Sequence, residues 1–190
     1  MKDKLTSVAV AAAVVASAVA MPADQLKAEG VYVARCYDRD GNLKWEDTFE
    51  NTVTTAGKND MLDKYFAASA YTAAFYMGLI SSTSYSAISA ADTMASHAGW
   101  LEAGSANDPH YSQSARPTTA WSSASGGSKA LSAALAFSIT TTGTIKGAFI
   151  TTVATKDGTT GTLFSAGLFT GGDKAVANGD TVNVSYSCGV

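Results

Sequence analysis

The side chains best suited to chemistry in this sequence are two histidines, His97 and His110, which share one stretch with Asp92, Glu102 and Asp108. Imidazoles and carboxylates build metal sites and acid–base pairs when they converge. Their spacing here fits no ligand pattern such as H-E-x-x-H, and loop histidines in β-proteins ordinarily hydrogen-bond to backbone. The two cysteines, Cys36 and Cys188, stand near opposite ends of the chain, too few for a structural zinc site and without a C-x-x-C motif. They read as two separate buried thiols, or as one disulfide between the first and last strands if the compartment is oxidising.

Other catalytic signatures are missing from the sequence. No G-x-S-x-G elbow surrounds any serine, and the glycines of "GGDKAVANGD" lack both P-loop spacing and its Lys-Ser/Thr pair. Trp45, Trp100 and Trp121, with Tyr71, Phe75, Tyr76 and Tyr85, could form a face for stacking sugars. Their positions within or beside alternating strands make them core residues instead. The expectation is a protein that is not an enzyme, with no metal and no cofactor.

Positioning these residues falls to a chain of 190 residues, enough for one domain with an appendage. Charged residues make up only 15 % against 46 % hydrophobic, below the quarter usual for soluble domains. A net charge of −3 with scattered Lys and Arg excludes the basic footprint of a nucleic-acid binder.

Residues 1–29 form the appendage. Lys2 and Lys4 precede an apolar run from Leu5 to Met21, followed by small residues. The pattern suits a secretory signal. It equally suits an alanine-rich helix or arm packed in an assembly. A membrane-spanning helix fits less well, because the run is mostly alanine and carries Thr6, Ser7 and Ser17.

Residues 30–190 read as a β-domain. Alternating residues flank "DRDGN" (38–42), whose Asp-Gly signals a tight hairpin. Met61, Leu62, Tyr65 and Phe66 fall at helical spacing, with Thr55 or Asn59 as cap, predicting one short amphipathic helix over about 56–67. A buried strand is expected at 71–82, and a long interface-forming or core-wrapping loop over about 84–114. Beyond Pro117, the stretches "TTAWSS", "ALAFSITT", "TIKGAFITTVAT", "TGTLFSAGLF" and "DTVNVSYSCG" alternate between Gly-rich turns. The fold class is therefore mainly β, an antiparallel β-sandwich or jelly roll. In such a fold the first and last strands are expected to pair or sit one strand apart, which brings Cys36 and Cys188 within reach in some registers.

Three stretches, "WEDTFENTVTTAGKNDMLDKYFAASAYTAAFYMGLI", "SAADTMASHAGWLE" and "LFSAGLFTGGDKAVANGDTVNVSYS", together resemble a family of small virion structural proteins of tailed bacteriophages. The likeness runs from about Gly30 to Ser187, with the landmarks Asn51–Gly57, Asp92–Trp100 and Gly179–Val184 in order. It implies a structural component of the virion assembled in the host cytoplasm, foremost a capsid decoration or cement protein on the major capsid lattice. It also implies homo-oligomers, free thiols, and a retained N-terminal arm touching another subunit. The interface residues expected on this basis are Val8, Val10, Val14 and Val15 of the arm and His97, Trp100, His110 and Tyr111 of the long loop. The alternatives are a tail or fibre component, or a secreted β-sandwich adhesin or carbohydrate-binding module.

Overall fold

The structure, a computed structural model, describes residues 27–67, 70 and 74–190. The expected N-terminal helix or arm lies outside the described residues. What is described is mainly β and wholly antiparallel, with one helix.

The predicted hairpin forms from β1 (Glu29–Tyr37) and β2 (Leu43–Val53). Asp38 closes its turn by accepting hydrogen bonds from the backbone N–H groups of Asp40 and Asn42 at 2.9 and 2.8 Å. Gly41 adopts φ +84°, which an L side chain would resist. The helix α1 (Thr55–Phe66) follows directly. Its cap is neither Thr55 nor Asn59 but Thr54, whose hydroxyl accepts the Gly57 N–H at 3.0 Å and donates to the Leu163 carbonyl. Burial of Thr54 against a strand distant in sequence fixes where the helix begins, which no local pattern could reveal.

The remaining strands are β3 (Tyr76–Ser81), β4 (Ser128–Ala130), β5 (Leu135–Ser138), β6 (Gly143–Thr151), β7 (Leu163–Leu168), β8 (Lys174–Val176) and β9 (Thr181–Gly189). "TTAWSS" is not a strand. Thr119 N–H bonds to Phe75 while Ser122 N–H bonds to Ala130, so the segment changes partner within four residues and builds no ladder. Conversely, β8 arises within a stretch expected to be a turn, and β4 begins at the last residue of the expected turn 125–128.

The strand order is β3-β6-β7-β2-β1-β9-β4, with β5 also on β9 and β8 also on β6. The described strands form two halves joined at β2, with β1, β9, β4 and β5 on one side and β7, β6, β3 and β8 on the other. The strand β2 pairs with β1 over Leu43–Glu50 and with β7 over Asn51–Val53, so one curled sheet passes through it. The two halves enclose a common core in a sandwich-like arrangement: Tyr32, Phe49 and Tyr186 from one half pack with Met77, Leu79 and Ile150 from the other.

The outer face of β3, β6 and β7 is buried as well. Ile80, Phe149, Leu163 and Ala166 are covered by Met94 and Trp100 of the long loop. That double burial explains why β3 reads as an unbroken apolar run. The long loop wraps the core.

Candidate functional site

The chemical centre of the long loop is a buried ion pair. The Glu102 carboxylate is 4 % exposed and accepts two hydrogen bonds from the Arg116 guanidinium, Nε at 3.0 Å and Nη2 at 2.7 Å. It also accepts the Asp157 backbone N–H at 2.6 Å and the Tyr111 hydroxyl at 3.3 Å. Arg116 spends its other donors on the Val153 and Gly158 carbonyls and lies over the Phe149 ring. Lys156 sits 4.0 Å from the Tyr111 ring centroid and donates to the carbonyls of Tyr111 and Gln113.

Burial drives the titration of this group. It pushes the Tyr111 phenol far above its usual range, and the Glu102 charge beside it adds to the effect. Burial also lowers the Lys156 ammonium, against the pull of Asp157 and Glu102. The buried charges of Glu102 and Arg116 are compensated by each other and by specific hydrogen bonds, as burial of ions requires. The Asp157 carboxylate completes the clasp by accepting the N–H groups of Ser105 and Ala106 at 2.7 and 3.2 Å. The assembly fastens the 101–116 segment to the β6–β7 connection. It has the geometry of a structural clasp, with the Glu102 oxygens already occupied by donors.

The histidines are not brought together. His97 stacks on Trp100 with ring centroids 4.1 Å apart, and its Nδ1 lies 2.9 Å from the Trp100 carbonyl. Trp100 in turn donates its indole N–H to Asp92 at 2.9 Å. His110 lies 3.6 Å from Asp108, whose carboxylate also accepts the Thr141 hydroxyl at 2.7 Å. Asp92, Glu102 and Asp108 thus belong to three different local networks. Among the described residues, no group of three or more His, Cys, Asp or Glu is placed to hold a metal ion.

Of the expected interface residues, Val8, Val10, Val14 and Val15 lie outside the described residues. His97 and His110 are partly exposed. Tyr111 is corrected to a core position at 2 % exposure, and Trp100, at 0 %, follows its reading as a core aromatic and not the one as an interface residue. Their rings fill space between the long loop and the sheet, so they offer no contact surface to another subunit.

The surface that does stand open is elsewhere. Leu62, Tyr65 and Phe66 project from α1 with exposures of 55 %, 77 % and 78 %. In the whole helix only Gly57 is buried, because a Cβ there would overlap the Phe164 carbonyl and the helix backbone packs directly on β7. Beside the helix runs an apolar groove of about 260 Å³, walled by Val53, Met61, Phe164, Tyr186, Cys188 and Val190. Helical spacing made the apolar stripe of α1 visible in the sequence. Its direction was not, since the stripe points outward. No helix among the described residues is long and apolar enough to cross a membrane.

No protein-family model matches this chain, and no curated protein is significantly similar to it.

Proposed function

We propose that this protein is a structural subunit of a tailed-phage particle, a decoration protein that binds the major capsid lattice and self-associates there. The observation that carries this reading is the outward apolar face of α1, Leu62, Tyr65 and Phe66, on a chain with only 15 % charged residues. Contiguous apolar surface of this kind marks a site that a partner covers. Aromatic side chains supply large contact area, and interface cores are enriched in them. The resemblance of residues 30–187 to small virion proteins supports the same reading, as does a carboxylate centre already saturated by structural hydrogen bonds.

The test is co-sedimentation of the full-length protein with purified shells of the cognate capsid protein. Saturable binding at a copy number near that of the capsid protein is expected, with loss of binding in the Tyr65→Ser/Phe66→Ser variant. A copy number far below it would assign the protein to the tail, and no binding would overturn the reading. The signal-like order of Lys2, Lys4, apolar run and small residues favours a second reading, a secreted adhesin or carbohydrate-binding module. Loss of the N-terminal segment from the mature protein, read by intact mass, would select it.

A further inference from the structure

Of the three prolines in the chain, only Pro109 follows an aspartate, in "NDPH" (107–110). In an Asp-Pro peptide the side-chain carboxylate can close a small ring onto its own main-chain carbonyl carbon, and the nitrogen beyond it belongs to a tertiary amide. Nucleophile and electrophile share one residue, so the attack is unimolecular and gains the advantage of proximity.

The fold places a group at each atom that would change charge. The Asp108 carbonyl oxygen accepts the hydroxyl of Ser81, a fully buried side chain of β3. The Ser81 Oγ itself accepts the Thr83 N–H at 3.0 Å, which leaves its own proton for that carbonyl. A fixed donor there polarises the carbonyl and stabilises the negative charge that builds on its oxygen under attack. The carboxylate is oriented through Oδ1, which accepts the Thr141 hydroxyl at 2.7 Å and lies 3.6 Å from His110 Nε2. Thr141 is held in turn, because its Oγ1 accepts the His110 backbone N–H at 2.7 Å. Oδ2 takes no hydrogen bond among the described residues, which leaves it the free nucleophile. The His110 ring folds back across Pro109 to Asp108, so a proton source is held next to the bond that must break. Pro109 is buried, whereas the Asp108 side chain is 61 % exposed and open to water.

We propose that the folded chain cuts itself between Asp108 and Pro109, with the Asp108 carboxylate as nucleophile, the Ser81 hydroxyl stabilising the oxyanion and protonated His110 as general acid. Oδ2 adds to the Asp108 carbonyl carbon. The bond to Pro109 then breaks, its electron pair going to nitrogen, which takes the His110 proton. A cyclic anhydride of Asp108 remains. Water opens it to a pair of carboxylates and releases a pair of protons, one returning to His110 and the other completing the Pro109 ammonium. The sum is hydrolysis of one peptide bond, with water as the sole co-reactant. The cut chain stays assembled, because β1, β2 and β3 precede the cut and pair with β9, β7 and β6 beyond it. The inference is independent of the capsid reading, which concerns the outward side of α1.

Full-length protein, incubated natively with protease inhibitors, is followed by intact mass under denaturing conditions. A fragment ending at Asp108 and one beginning at Pro109 should accumulate with first-order kinetics independent of protein concentration, their masses summing to the parent plus one water. Cleavage should be at least about tenfold faster than in the same buffer with urea, because only the folded chain holds Ser81 and His110 in place. Hydroxylamine at neutral pH should trap the anhydride as a hydroxamate, located at Asp108 by peptide mass. Asp108→Ala should abolish the cut, and Ser81→Ala and His110→Gln should each slow it about tenfold or more. An uncut native protein, equal rates in urea, or an undiminished rate in Asp108→Ala would overturn the proposal. So would cleavage that leaves no hydroxamate. Should a variant fail to fold, the urea comparison and the trap decide on the wild type alone.

Discussion

Cys36 and Cys188 occupy paired strands yet never face each other. In the β1–β9 ladder Cys36 stands opposite Val182, and Cys188 stands opposite Gly30. Six residues of strand therefore separate the two thiols along the ladder, about 20 Å at ~3.3 Å per residue. A disulfide requires Cα atoms within roughly 7 Å. The register, rather than the redox state of any compartment, keeps the thiols apart. Thiol titration in denaturant without reductant is expected to count both cysteines free, and a quantitative intramolecular bridge would contradict the register.

The two thiols also differ in surroundings. Burial, reinforced by the Asp180 carboxylate at 3.7 Å, pushes the Cys36 thiol up to about 12. Burial raises Cys188 too, with Lys129 pulling the other way. Since the thiolate is the reactive form, Cys36 should stay unmodified by iodoacetamide at pH 8 until the protein unfolds.

The Glu102–Arg116 clasp should dominate the stability of the long loop. Removing one partner leaves an uncompensated buried charge, which costs about 3–5 kcal/mol. Glu102→Leu and Arg116→Met are each expected to lower the urea midpoint by that equivalent, and Glu102→Leu/Arg116→Met to cost less than either single change, since no charge is then stranded. Chemical denaturation of the four proteins measures this, and additive losses would show that the pair is not coupled.

Acid sensitivity should trace in part to Asp47. Burial alone would raise its carboxyl, but the hydrogen bonds from Lys174, Gly171 and Thr170 outweigh it and hold the group below its ordinary 3.8. Stability from a depressed carboxylate is complete above the unfolded value and is lost as pH falls through the folded one. The protein should therefore lose stability as pH drops below about 4, and Asp47→Asn should flatten that loss while weakening the fold at neutral pH. Thermal melts across the acid range decide it.

Two glycines should respond to alanine with very different severity. At Gly147 a Cβ would overlap the Gly167 carbonyl across the β6–β7 pair, in backbone that cannot yield. Gly147→Ala should abolish soluble expression. Gly41 has φ +84° and open space around it, so Gly41→Ala should fold and cost only about 1–2 kcal/mol.

The sequence was informative wherever structure is local. Asp-Gly at residues 40–41 announces the hairpin, and alternation announces β1 and β9. It was silent where the determinant is a distant partner. Thr54 caps α1 because Leu163 and Phe164 bury it, and β2 serves two halves of the sheet because β7 meets only its last three residues. The carboxylate of Glu102 looked like a possible ligand; that it is spoken for by Arg116, fourteen residues on, depends on how the loop folds back. Tyr111 was expected at an interface for the same reason, whereas Trp100 was expected both in the core and at an interface, and its burial bears out the core reading.

The adjacency of Glu29 and Gly189 at one end of the β1–β9 ladder carries a mechanical consequence. Force applied through these two residues would pull perpendicular to the strands, along the inter-strand hydrogen bonds. Such bonds then break one after another, like a zipper, rather than sharing the load in shear. Loaded instead across the broad faces of the sheet, the same ladder would feel almost no tension.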